Sequence, residues 1–143
     1  MLMTDVLACA VRLLARREHS LAELTDKLAQ RGYPREDIQK VVENCQQQGL
    51  QSDVRFAESL VRTRVRQGYG PVRIRQELQA KQVSRSLIDG ALRSEQDNWI
   101  SHATCAWKKK YKPSGDESFA EKQKQKQFLL YRGFSADMIA KVV

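Results

Sequence analysis

Apolar residues along this chain recur at helical spacing, in a pattern that repeats about every 50 residues. The copies align by two successive gaps of five residues, as from Leu28 to Tyr33 and from Tyr33 to Ile38. The aligned positions are Leu24, Leu28, Tyr33 and Ile38, then Ile74, Leu78, Val83 and Ile88, and finally Leu129, Phe134 and Ile139. A period of this size predicts stacked copies of one supersecondary unit, which share apolar surface because each alone buries little core.

Start and stop signals divide the first copy into three short helices. An apolar stripe over residues 3–17 predicts the first helix. Ser20 followed three residues later by Glu23 is a capping box, which predicts the start of the second. Gly32 ends that helix, and Pro34 suits the first turn of the third, which stops near Gly49.

The second copy has the same order of helix start and stop signals. Ser52 or Asp53 is expected to cap a helix that runs to about Gln67. The turn at residues 68–71 ends in a proline that can begin the next helix, and Ser84 or its neighbour caps a sixth.

The third copy is expected to contain a helix with Trp99 and Trp107 on one face, a helix at roughly 117–131 and a final short helix. No stretch alternates as a strand does. We predict an all-α fold in which three tandem three-helix repeats form an elongated, curved helical-repeat protein. The predicted repeats are residues 1–49, 50–97 and 98–143.

The net charge of +8 is spread unevenly over these repeats. Residues 1–50 carry seven basic and seven acidic side chains, residues 51–100 carry nine and six, and residues 101–143 carry nine and four. All of the positive excess therefore lies in the last two repeats. Such a field favours an anionic partner, either nucleic acid or an acidic protein surface.

No catalytic or metal-binding set of residues emerges from the sequence. Gly-rich phosphate loops, supported nucleophile–base pairs and paired carboxylates at a suggestive spacing are all lacking. The cysteines Cys9, Cys45 and Cys105 share no CxxC spacing and are expected to be reduced and structural. His19 and His102 are expected to be exposed polar side chains. We therefore expect a binding protein without a cofactor, not an enzyme.

The chain shows no sign of membrane insertion or export. No apolar run approaches the roughly 18 residues that span a bilayer. At the start of the chain the charged residues follow the apolar stretch, and this order argues against a signal peptide. We expect a cytoplasmic protein that makes no membrane contact and acts as a monomer.

Arginines provide the strongest chemical signal. At 100° per residue, Arg55, Arg62 and Arg66 fall within about 40° of one another on one helix face. Guanidinium groups in such a ridge bind phosphates or carboxylates in bidentate fashion, although a solvated helix face has the same appearance. Arg64 projects on the apolar side, where it either extends its stem to solvent or pairs with an acid from a neighbouring module.

Further candidates for binding follow the ridge along the chain. Tyr69 can stack on a base or fill a junction between modules, and the cluster of lysines in the third repeat attracts backbone phosphates without reading sequence. Trp99 and Trp107 are expected to belong to the core more than to a stacking platform. The complete set of candidate binding residues is Arg55, Arg62, Arg66, Tyr69, Arg73, Arg75, Lys108, Lys109, Lys110 and Lys112.

Several ordered segments resemble the RecX family. They are residues 13–20 (LLARREHS) with 23–24, residues 53–78 (DVRFAESLVRTRVRQGYGPVRIRQEL), residues 107–111 (WKKKY) and residues 130–134 (LYRGF). The resemblance covers essentially the whole chain. One departure is Gln125, which stands where the first two repeats have Leu24 and Ile74, so the third repeat is expected to pack more loosely.

The resemblance implies a regulator of RecA, the recombinase that polymerises on single-stranded DNA. It implies inhibition or modulation of filament assembly, ATP hydrolysis and strand exchange, a fold of tandem three-helix repeats, and some affinity for single- or double-stranded DNA. A sequence-nonspecific DNA-binding protein that competes for DNA is the alternative. A passive repeat scaffold leaves the concentrated arginines unexplained.

Overall fold

The computed structural model describes residues 3–143, and within that range the chain forms nine α-helices and no β-strand. Met1 and Leu2, which begin the first predicted repeat, lie outside the described residues. The helices are α1 (Met3–Arg16), α2 (Leu21–Gln30), α3 (Arg35–Gln47), α4 (Asp53–Arg66), α5 (Pro71–Ala80), α6 (Arg85–Arg93), α7 (Trp99–Tyr111), α8 (Phe119–Tyr131) and α9 (Ala136–Ala140). The prediction of an all-α fold with nine helices is confirmed. No helix in the described range is long and apolar enough to cross a membrane.

Local capping explains where several helices begin. Ser20 Oγ accepts a hydrogen bond from the Glu23 N–H at 3.0 Å, as the sequence predicts. Ser118 and Ser135 cap α8 and α9 in the same way. Pro71 is the first residue of α5, whereas Pro34 lies at the N-cap of α3, one residue earlier than expected.

The aligned positions of the sequence repeat are buried or partly buried in all three copies. Leu24, Ile74, Leu28, Leu78 and Leu129 are fully buried. Val83, Phe134, Ile38, Ile88 and Ile139 are also buried, and Tyr33 is partly buried. The period in the sequence is therefore a period of core positions.

The described residues group into two compact units. The first contains residues 3–59 and 78–88, and its helices α1, α2 and α3 pack against one another. The second contains residues 60–77 and 89–143, and its helices α7, α8 and α9 also pack pairwise. The three predicted repeat boundaries are defined by sequence alone and stay a prediction.

Gln125 takes its place in the core of the second unit through a hydrogen bond. The residue is 5% exposed, and its Oε1 accepts from the indole Nε1 of Trp107 at 2.7 Å. Trp99 is buried and Trp107 is partly buried, so neither side chain is a free stacking platform. A satisfied polar pair thus replaces the aliphatic side chain that the other two repeats use here.

Each repeat ends its second helix in a left-handed turn. Gly32 has φ +85°, Gln82 has φ +59° and Gly133 has φ +96°. The N–H of each bonds to a carbonyl three residues earlier, at 3.0 Å in all three turns. Glycine adopts this conformation without steric cost, but glutamine does not. The second repeat therefore contains a strained residue where the other two contain glycine.

Gly70 and Gly133 bring two backbone segments of the second unit into direct contact. The Gly70 N–H donates to the Arg132 carbonyl at 2.7 Å, and the Val72 N–H donates to the Gly133 carbonyl at 2.9 Å. Pro71 has no N–H, so these bonds satisfy donors at the start of α5 that a helix leaves without intrahelical partners. A Cβ on Gly70 would lie 2.5 Å from the Gly133 carbonyl oxygen.

Candidate partner-binding site

The second unit contains an open cleft of about 550 Å³. The end of α4 and the turn after it contribute Arg66 and Gln67, and α7 contributes Cys105, Lys109 and Lys110. The end of α8 completes the cleft with Phe128 and Arg132. We call this site the basic cleft. Its volume lies within the range of sites that hold small ligands.

Arg132 lies at the centre of an alternation of cationic and aromatic groups. Its guanidinium carbon is 4.9 Å from the ring centroid of Tyr69 and 5.1 Å from that of Phe128. Its Nη1 donates to the Gln67 carbonyl at 3.1 Å. Arg73 lies over the Tyr69 ring at 4.2 Å, and Lys110 Nζ is 5.9 Å from the Phe128 centroid. Cation–π contacts therefore fix the orientation of Arg132.

The charge that lines the basic cleft is entirely positive. Arg66, Lys109, Lys110 and Arg132 line it, and none of the described lining residues carries a carboxylate. His102, another lining residue, contacts the acid Glu95 through its Nε2 at 2.7 Å. The hydrogen bond from His102 lowers the pKa of Glu95, against the opposing effect of burial. The aromatic ring of Phe128 and the cationic side chains around it together suit a planar, anionic ligand.

Within the predicted arginine ridge on α4, one arginine forms hydrogen bonds and the other two are exposed. Arg55 Nε donates to a Glu18 carboxylate oxygen at 3.0 Å, and its Nη2 donates to the Gly49 carbonyl at 2.7 Å. Arg62 and Arg66 are exposed, and Arg66 lines the basic cleft. The structure therefore leaves Arg62 and Arg66 as the members of the ridge most available for a partner.

Of the two alternatives left open for Arg64, the structure shows the ion pair, but with an acid of its own module. Its Nε and Nη2 donate to the two carboxylate oxygens of Glu77 at 2.9 and 2.7 Å. Glu77 lies on α5 of the same repeat, so the prediction of an acid from a neighbouring module is wrong. The hydrogen bonds that Arg64 donates to Glu77 raise the pKa of Arg64 despite partial burial. This pair ties the end of α4 to α5.

The remaining candidate residues take different positions in the second unit. Arg75 Nη2 contacts Asp89 at 2.8 Å. Arg73 covers the ring of Tyr69, so this tyrosine fills a space between two arginines. Lys108 and Lys112 are exposed at the end of α7 and do not line the basic cleft, whereas Lys109 and Lys110 do.

Two polar residues lie where the sequence did not predict them. His19 is 2% exposed and buried, not exposed, because its ring is within 3.0 Å of the Arg17 carbonyl and 2.8 Å of Lys27 Nζ. Cys105 is exposed and lines the cleft, so it is not a structural core residue, unlike Cys9 and Cys45. Phe128 and Arg132 were also missed, although the spacing of Phe128 four residues before Arg132 was a local signal.

Comparison with protein families covers each three-helix repeat separately. The model for RecX, first three-helix domain, matches residues 7–45. The models for the second and third three-helix domains match residues 52–92 and 102–143. The chain belongs to the RecX family. The resemblance seen in the sequence is thereby confirmed, and the three matched domains agree with the period of core positions.

Curated relatives in the RecX family support the same assignment. A Regulatory protein RecX from Legionella pneumophila (strain Corby) is 51% identical over 140 residues, which cover 98% of this chain and 93% of that protein. A Regulatory protein RecX from Pseudomonas tolaasii is 44% identical over 134 residues, covering 94% of this chain and 86% of the relative. Both relatives are named as regulatory proteins and not as enzymes.

The fold is also that of a solved RecX structure. The crystal structure of RecX from Lactobacillus salivarius superimposes with a TM-score of 0.84 and covers 98% of this chain and 93% of its own. Its sequence is 24% identical. The similarity therefore concerns the fold, an all-α helical repeat.

Proposed function

We propose that this protein binds RecA filaments on DNA and inhibits or modulates filament assembly, ATP hydrolysis and strand exchange during recombination and the SOS response. The observation that carries the proposal is the match of all three RecX domains, in order, at residues 7–45, 52–92 and 102–143. We further propose that it acts as a cytoplasmic monomer without enzymatic activity of its own.

The charge distribution supports an action at the filament. The first repeat is neutral and the last two carry the positive excess, so different repeats suit different surfaces of a protein–DNA assembly. A filament presents identical sites at a fixed spacing. Two weak contacts joined in one chain bind far more tightly than either contact alone, because the second contact forms at a high effective concentration.

The test is ATP hydrolysis by preformed RecA filaments on single-stranded DNA, with this protein added at substoichiometric amounts. We expect a progressive loss of hydrolysis although RecA far exceeds the inhibitor, because each bound molecule affects many subunits. No loss at any ratio would overturn the proposal.

A pair of variants tests the exposed arginines of α4. Arg62→Ala combined with Arg66→Ala is expected to weaken inhibition, since it removes two guanidinium groups from the exposed ridge. The matched control is Arg12→Ala combined with Arg16→Ala, which removes the same charge from the exposed face of α1. Equal inhibition by the two double variants would show that the ridge on α4 has no special role.

Competition for DNA is the second candidate function, and the basic cleft is the observation that favours it. In that case the protein binds single- or double-stranded DNA weakly and without sequence preference, and inhibition appears only when it covers the DNA. The dependence of binding on salt concentration distinguishes the two candidate functions. Binding through phosphates alone weakens log-linearly as salt rises, whereas a protein interface with an apolar core resists.

A further inference from the structure

The basic cleft combines three features that a purely acidic partner does not require. It is concave, it contains the partly buried ring of Phe128, and it holds Arg132 in a fixed orientation between two aromatic rings. An acidic protein surface needs cations only. An unpaired nucleotide presents both a planar base, which stacks on aromatic rings and guanidinium planes, and a phosphate, which cations bind.

The donors around Arg132 leave part of its guanidinium available. Nη1 is engaged by the Gln67 carbonyl, and this is the single hydrogen bond of the Arg132 side chain within the described residues. The two remaining nitrogens can therefore contact a ligand while the Gln67 bond and the Tyr69 ring keep the group in place. A preorganised arginine loses less conformational entropy on binding than a free one.

We propose that the basic cleft binds one unpaired nucleotide of a single strand, with its base against Phe128 and Arg132 and its phosphate held by Arg66, Lys109 and Lys110. This inference rests on the proposed function for the presence of single-stranded DNA at the filament. The site discriminates unpaired from paired strands, because a base inside a duplex is not free to enter a cleft. It requires no particular base, since every base has a π-face.

Binding of a labelled oligothymidylate, followed by fluorescence anisotropy, tests the aromatic part of the cleft. Phe128→Leu keeps an apolar side chain and removes the ring, so affinity is expected to fall about 5- to 100-fold. The salt dependence of binding stays unchanged, because no charge is lost. The matched control is Phe119→Leu on the same helix, since Phe119 is 80% exposed and lies outside the cleft.

An abasic strand of the same length isolates the base contribution. It carries the same phosphates but no base, so Phe128→Leu is expected to leave its affinity unchanged. Retained binding of the abasic strand also shows that the variant is folded. An equal loss on both strands would overturn the assignment of Phe128 to base stacking.

Substitutions of two neighbouring lysines test the phosphate part of the cleft, and the two variants have the same net charge. Lys109→Ala is expected to reduce the slope of log affinity against log salt by about 0.7, the value for one phosphate contact on a single strand. Lys108→Ala removes the same charge from the same turn of α7, but outside the cleft, and is expected to change the slope less. Equal slopes for the two variants would contradict the cleft.

The exposed thiol of Cys105 locates the bound strand without any substitution. Cys9 and Cys45 are buried, so iodoacetamide is expected to alkylate Cys105 selectively in the folded protein. Bound oligothymidylate is expected to slow this alkylation several-fold. An unchanged alkylation rate at saturating strand would mean that the strand binds elsewhere.

Other ligands and the RecA assay complete the design. If thymidine monophosphate binds as tightly as the oligonucleotide, the cleft is a site for free nucleotides. If polyglutamate binds as tightly as the oligonucleotide, and its affinity does not depend on Phe128, the cleft is a site for an acidic protein. Either outcome overturns the proposal. If the unaltered protein does not inhibit RecA, the proposed function is contradicted. The strand-binding results would still test the cleft in that case.

Discussion

The carbonyl oxygen of Gly133 lies only 2.5 Å from the position that a Cβ on Gly70 would occupy. Neither backbone can retreat without loss of a hydrogen bond, since the Gly70 N–H donates to Arg132 and the Val72 N–H donates to Gly133. Close contact between two main chains, without side chains between them, therefore joins α5 to the turn after α8.

Gly70→Ala is expected to destabilise the second unit by about 1–3 kcal/mol, because backbone atoms cannot yield as a flexible side chain does. The measurement is the midpoint of urea unfolding. Gly90→Ala is the control, since nothing lies within 4 Å of its added Cβ. This change should stabilise α6 by about 0.5–1 kcal/mol, through the higher helix propensity of alanine. Destabilisation by both variants would contradict the steric explanation.

Gln82→Gly is expected to stabilise the protein by about 0.5–1 kcal/mol. Gln82 has φ +59°, in a region where an L-residue is strained and glycine is not. Thermal unfolding checks the sign. Gly32→Ala places a side chain at the equivalent position of the first repeat, where nothing else lies within 4 Å, so it should destabilise by a similar amount through φ alone. Stabilisation by Gly32→Ala would contradict the argument.

A double-mutant cycle on Arg64 and Glu77 is expected to give a coupling energy of about 0.5–1 kcal/mol. The pair is bidentate, and its side chains are 27% and 28% exposed, so solvent screens it only partly. The same cycle on Arg75 and Asp89, a single contact with side chains 37% and 42% exposed, should give less. Urea unfolding at low and high salt measures both couplings. A larger value for the more exposed pair would be the contrary result.

Glu23 is expected to make stability fall in acid. Burial alone would raise its pKa, but hydrogen bonds and charge from Arg17, with the charge of Lys81, hold the pKa at about 2. A carboxyl group whose pKa is lowered on folding contributes stability above its unfolded pKa, near 4.5, and loses it as pH falls toward 2. The stability that Glu23 loses between pH 6 and pH 2 is about 3 kcal/mol.

Urea midpoints between pH 6 and pH 2 check this dependence. Glu23→Gln should flatten the acid limb, and Arg17→Gln should reduce its slope. His19 adds an effect at higher pH, because burial and the positive charges of Arg17 and Lys27 lower its pKa, against the hydrogen bond to the Arg17 carbonyl and the charge of Glu23. Its contribution to stability is lost as pH falls below about 6.5. Identical acid limbs in the Glu23→Gln variant and the unaltered protein would refute the assignment.

Gln125→Ala is expected to cost about 1–3 kcal/mol, since it removes a buried hydrogen bond to Trp107 and leaves the indole N–H without its acceptor. Gln123→Ala on the same helix is exposed and should change stability by less than about 0.5 kcal/mol. Guanidinium unfolding compares the two. Equal effects would mean that the hydrogen bond contributes nothing measurable.

The helices and the repeated core were predictable because their signals are local. Helix caps act within three residues, as at Ser20, and the apolar period follows from 3.6 residues per turn. Only some of the residues that line the basic cleft could be predicted from the sequence. Lys109 and Lys110 were found from charge, but their proximity to Phe128 and Arg132 depends on the packing of α7 against α8. His19 was misplaced because its polarity suggested exposure, whereas contacts from Arg17 and Lys27 satisfy its ring in the interior.

The small set of core positions in each repeat leaves most of the surface free to diverge. Four aligned positions recur as inward-facing residues, and one of them, Gln125, is a polar residue that accepts a hydrogen bond from Trp107. The surface between them can acquire or lose charge with little effect on folding. A single architecture can thus be duplicated and then specialised, with one repeat electrically neutral and another strongly cationic, and a RecX structure of 24% identity retains the same fold.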